Sequence, residues 1–160
     1  MKPSKLEEKF NSFVNSGTMP EIEDIMVFQT SDGEYELYNK YYISRTPDKS
    51  YVVTMKDTHA HHTFYKLKNA VVWCTYDKRN KISDADKIID LDLKLHGADS
   101  NAEVYTGLFK KTKNVDSKLL YAAKLTEEKV KKTYILAQLD LLVTEAKNWQ
   151  LKRFIAKPAH

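Results

Sequence analysis

The chain has 160 residues, 42% apolar and 30% charged, which is the size and balance of one globular domain able to bury a core without metals or disulfides. Four glycines and four prolines favour long regular elements, the lone Cys74 excludes an internal disulfide and points to a reducing compartment, and no apolar run approaches the ~20 residues of a membrane span. The formal charge of +4 lies wholly in the second half: residues 1–80 carry 11 basic and 11 acidic side chains, residues 81–160 carry 15 and 11.

The opening KPSKLEEKFNSFVNSG sets Leu6, Phe10, Phe13 and Val14 at helical spacing between Pro3 and Gly17, and predicts a short amphipathic helix at about 4–15. It lacks the apolar region of a signal peptide, so a soluble protein of the cytoplasm is expected. A turn follows at Asp32-Gly33. In EYELYNKYYIS the period changes to two, with Tyr35, Leu37, Tyr41 and Ile43 on one face and Glu36, Tyr38, Lys40 and Tyr42 on the other. RTPDKS supplies turn chemistry, SYVVTM resumes the alternation, and HTFYKL at 62–67 adds a third strand, with DTHAHH as the connection.

Asn69 reads as the N-cap of a helix of about eleven residues, AVVWCTYDKRN. SDADKIIDLDLKLHG fits two patterns. Ile89, Leu91, Leu93 and Leu95 alternate as in a strand, whereas Ser83 with Asp84 and Asp86 suits a helix start and Ala85, Ile88, Leu91 and Leu95 make a helical stripe. We read a helix, either running past Gly97 towards Lys113 or restarting near Ser100. After KNVDS, with Asp116 or Ser117 as cap, residues 117–153 are almost unbroken helix formers, with a break before Thr126-Glu127-Glu128 as the alternative.

This last helix carries two apolar stripes. One is Leu120, Ala123, Val130, Tyr134, Ala137 and Leu141, interrupted by Glu127; the other is Ile135, Leu139, Leu142, Ala146 and Trp149. A helix apolar on two sides predicts contacts on two sides, from the preceding helix and from the sheet with its short helices. The expected fold is therefore α+β in a single domain, 1–160. A helix and a small antiparallel sheet of two or three strands occupy 1–68, and short helices with a long C-terminal antiparallel helical hairpin occupy 69–160.

Candidate chemistry is sparse. His59 and His61 share a strand face with Asp57 and are the weak metal candidates, but a catalytic zinc needs a third ligand, and nothing in the sequence brings His96 or His160 near. His59, His61 and His62 are expected to be mostly exposed and to hold no functional metal. Asp84, Asp86, Asp90 and Asp92 are explained by a helix start and its polar side, and Cys74 in VVWCTY by packing. Phosphate loops, Cys-x-x-Cys pairs, nucleophile elbows and His-Glu-x-x-His are absent, so no catalytic residue and no cofactor is expected. The strongest surface signal is a lysine-rich helical tip: residues 106–132 contain eight lysines against Asp116, Glu127 and Glu128. Lys110, Lys111, Lys113, Lys118, Lys129, Lys131 and Lys132, with Tyr38 and Tyr42 on the sheet face away from the core, form the candidate interaction surface.

The phrases YELYNKYYI, FYKLKNAVVWCTYDKRNKI, LFKKTKN and KNWQLKRF together resemble small proteins of tailed phages infecting marine bacteria, above all the contractile-tailed phages of cyanobacteria, over about residues 34–154. The resemblance transfers no functional residue. It implies expression in the bacterial host cytoplasm and a role in the virion, in assembly or in host interaction. The expected function is a non-catalytic protein-interaction component binding phage or host proteins, or further copies of itself, without a membrane. The alternatives are a basic, sequence-independent nucleic-acid-binding accessory protein and an intracellular regulator of the host.

Overall fold

A computed structural model describes residues 28–31 and 34–156; the expected helix at 4–15 and the turn at Asp32-Gly33 lie outside the described residues. Five antiparallel strands form one sheet in sequence order: β1 (Phe28–Ser31), β2 (Glu34–Leu37), β3 (Tyr41–Arg45), β4 (Tyr51–Met55) and β5 (His61–Phe64). Three helices follow, α1 (Leu67–Lys78), α2 (Ile82–Lys111) and α3 (Val115–Ala156). The fold is α+β, as expected, with more strands than the two or three anticipated.

The extra strands have a local cause. The stretch 34–44, read as one strand, is two: Tyr38 and Asn39 both adopt left-handed backbone (φ 57° and 56°), and the Lys40 amide donates to the Leu37 carbonyl at 3.3 Å. Asn tolerates that conformation, and the pair makes a type I′ turn, whose twist suits a hairpin. Leu37 then pairs directly with Tyr41, so both sit on one face and the alternation continues through the turn as if it were not there. Leu37, Tyr41 and Ile43 are buried accordingly, together with Val53 on β4 and Phe64 on β5. β1, paired with β2 through an irregular register, completes the edge.

α1 is the buried centre. Its run from Ala70 to Tyr76 is inaccessible on every side, packed between the sheet and the helical hairpin. It starts two residues before the expected Asn69 cap, and Lys66, its N-cap, makes no side-chain cap bond. The missing cap comes from elsewhere. The carboxylate of Asp92, on α2 and 2% exposed, accepts the backbone amides of Tyr65 (2.9 Å) and Lys66 (3.2 Å) and the Asn69 side-chain amide (2.8 Å). A negative charge at the positive end of α1 offsets the cost of burying it.

α2 is helical throughout its 30 residues, past Gly97 and Gly107. Ile88, Leu91 and Leu95 are buried and Leu93 is exposed, so the helical stripe prevails over the strand-like alternation. α3 is continuous over 42 residues, about 63 Å at 1.5 Å per residue, with no break at Thr126. Its cap is Asn114, whose Oδ1 accepts the Ser117 amide at 3.1 Å, in place of the expected Asp116 or Ser117.

Candidate interaction surface

The two stripes of α3 have opposite fates. Ile135, Leu139, Val143 and Ala146 are buried against α2 and α1, which both lie on that side. The other stripe is bare: Val130 is 65% exposed, Tyr134 69% and Leu141 74%, and Leu120, Ala123 and Ala137 are exposed as well. The expectation that α3 is contacted on two sides is corrected here. The helix held between sheet and hairpin is α1, and because α1 intervenes, the sheet never reaches the outer face of α3. What remains is a row of apolar side chains at 120, 123, 130, 134, 137 and 141, with Glu127 in the vacant place of the series. Steps of three and four make this a heptad seam.

The lysines divide into two groups. Lys132 pairs with Asp99 of α2 at 2.8 Å, Lys131 with the buried Glu128 at 3.2 Å, and Lys124 with Glu127 at 3.8 Å, so the lysines along the shaft are largely neutralised by their own chain. At the hairpin tip, Lys110, Lys111 and Lys113 are exposed and have no ion-pair partner among the described residues. Lys118 lies over the Phe109 ring, 4.9 Å from its centre. The basic surface is thus a small cap on the tip. Lys129, also exposed, stands apart from it on the shaft.

Tyr38 is not on the outer sheet face as expected. Being in the turn, it folds inward: its hydroxyl bonds Thr75 Oγ1 (2.9 Å), it accepts from Gln150 Nε2 (2.8 Å), and its ring meets Trp149 edge-on at 5.8 Å. It ties the sheet to α1 and to the far end of α3. Beside it Arg79 bonds Glu145 (3.4 Å) and covers the Trp149 ring at 5.3 Å. Tyr42 lies on the outer face, between Glu36 and Thr54 of the neighbouring strands, and a hydrogen bond with Glu34 raises its phenol above the ordinary value.

His59 adopts a left-handed turn conformation (φ 59°) after β4, while His61 and His62 are consecutive on β5 and therefore face opposite ways. His59 and His61 are exposed; His62 is half-buried, its ring 4.6 Å from that of Trp73. His96 stacks flat on Tyr65 at 3.6 Å. His160 lies outside the described residues. Among the described residues no three His, Cys, Asp or Glu side chains converge as metal ligands. Cys74 is fully buried, and burial pushes its thiol well above the usual value, where it is a poor nucleophile.

Two groups were invisible in the sequence: Asp92 as the cap of a helix that is not its own, and the cluster of Tyr38, Arg79, Trp149 and Gln150. Both need contacts across many residues. The exposed seam left a signal, its spacing of seven, but spacing alone does not say whether the chain's own core covers a stripe. Among the described residues no helix is long and apolar enough to cross a membrane. The chain matches no protein-family model, no curated protein and no solved structure.

Proposed function

We propose that this protein is a non-catalytic interaction component that docks other protein through the outer face of α3, within a phage particle or its assembly in the bacterial host cytoplasm. The observation that supports this most is the bare seam, since Val130, Tyr134 and Leu141 are each about two-thirds exposed or more on a rigid helix. Large contiguous apolar patches on a folded surface mark interaction sites. Helix-in-groove and coiled-coil recognition use the same spacing. The phage setting rests on the resemblance of the sequence phrases. Mass spectrometry of purified virions from a phage encoding this chain tests it: stoichiometric presence is the expected result, and absence moves the site of action to the infected cell.

A second reading, nucleic-acid binding, draws support from the tip, where Lys110, Lys111 and Lys113 are exposed beside Lys118. Neutralising so few phosphates gives weak, sequence-independent binding that falls as salt rises with a slope of only about three or four in log K per log salt. An anisotropy titration at low and moderate salt separates the two readings, and absence of binding at low salt removes this one.

A further inference from the structure

We propose that the cleft between the start of α1 and the middle of α3 captures the carboxyl terminus of a peptide chain that ends in apolar residues. The site is separate from the bare stripe of α3 and does not depend on what covers that stripe. The cleft has a volume of about 540 Å³, in the range of ligand sites. Leu95, Leu139 and Val143, each at most 5% exposed, form its floor, and Leu136, 43% exposed, stands at its rim. Such a lining takes an apolar side chain.

The polar groups of the cleft are few and unevenly placed. Asn69 lines the wall and is 2% exposed; it donates to Asp92 at 2.8 Å, and its Oδ1 accepts no hydrogen bond among the described residues. At the Thr133 end, Asp99 is shared by Lys132 at 2.8 Å and Lys66 at 4.0 Å, so two cations face one carboxylate there. Lys68 stands on the same wall as Lys66. Asp140, the acidic group of the lining, is exposed and lies seven residues along α3 from Thr133, about 10 Å away. A carboxylate therefore fits the Lys66 end by charge. An aliphatic acid would meet the lysine and the floor, but it would set hydrocarbon against Asn69 and leave a buried acceptor unpaired. The last residue of a peptide carries, beside its carboxylate, a backbone N–H for Asn69 Oδ1 and a side chain for the floor. Capture of a terminal carboxylate is a recurring mode of peptide recognition.

Fluorescence anisotropy of the full chain tests the proposal, with a labelled hexapeptide ending in Leu-Val-Leu and a free carboxylate as the probe. The expected result is saturable binding with Kd on the order of 100 µM. The same peptide closed by a C-terminal amide binds about fivefold more weakly or worse, and Lys66→Gln weakens the acid form to a similar degree. Thr133→Trp, at an exposed position on the rim, fills the cleft and abolishes binding with the thermal melt unchanged. Leu141→Gln, on the outer face of α3, leaves binding as it was. No saturation up to millimolar peptide overturns the site. Equal affinity for the acid and the amide overturns the carboxylate capture, and tighter binding of decanoate than of the peptide overturns the peptide as ligand. Binding kept in Thr133→Trp but lost in Leu141→Gln overturns the cleft alone and leaves the docking role of the outer face standing.

Discussion

Asp92 is the residue whose loss reaches furthest, because three buried donors from the start of α1 depend on one carboxylate. Asp92→Ala is expected to destabilise the fold by about 2–3 kcal/mol in chemical denaturation, since those donors lose their acceptor inside the core. Asp92→Asn, which keeps the shape and one acceptor, should cost less. A second prediction at this scale concerns alkali. Burial, then the bond to Asp77, raises Tyr41 above the ordinary phenol value, and burial with the nearby Glu145 raises Tyr76. Both phenols are held neutral in the fold, so their contribution is fully present below pH ~10 and is lost as pH climbs towards the raised folded values. Stability should therefore be level through neutral pH with respect to these two groups and fall above about pH 10. Tyrosinate absorbance for them should appear together with unfolding. Ionisation of all tyrosines before any loss of helical signal would contradict this.

At the scale of elements, α2 offers a simple stabilisation. A Cβ added at Gly97 or Gly107 would meet nothing within 4 Å, and both glycines sit inside a helix. Gly97→Ala is expected to raise stability by about 0.5–1 kcal/mol, read as a shift in denaturation midpoint at unchanged slope. The helices were largely legible in the sequence because long amphipathic periods are hard to mistake: Ile88, Leu91 and Leu95 outweighed the alternation around Leu93. The sheet was less so. The Tyr38-Asn39 turn contains no Gly and preserves parity, so nothing in the face pattern marks where one strand becomes two. The two caps differ from expectation for different reasons: Asp92 reaches α1 from another helix, and α3 starts at Val115, two residues earlier than expected, so the residue just before it, Asn114, is its cap. Both stripes on α3 are visible in the sequence. Which of them the molecule covers depends on where α1 lies, and that is set by tertiary packing.

At the scale of the whole molecule, one end is tied down and the other is presented. The sheet, α1 and the C-terminal part of α3 are fastened by Tyr38, Tyr76 and Arg79, with the Tyr76 hydroxyl donating to the Leu142 carbonyl at 2.6 Å. From that base the α2–α3 hairpin carries the bare seam and ends in the lysine tip. The candidate site was half legible: the tip was anticipated, whereas the seam was assigned to the core and Tyr38 to the surface. The central claim is that protein covers the outer face of α3 in the working state. Hydroxyl-radical footprinting tests it most directly, by comparing Leu120, Val130, Tyr134 and Leu141 in the dilute chain and in the native assembly. The account predicts that all four, exposed in the dilute chain, become strongly protected in the assembly while Leu93 of α2 keeps its reactivity. Equal labelling of the four residues in both states would contradict it.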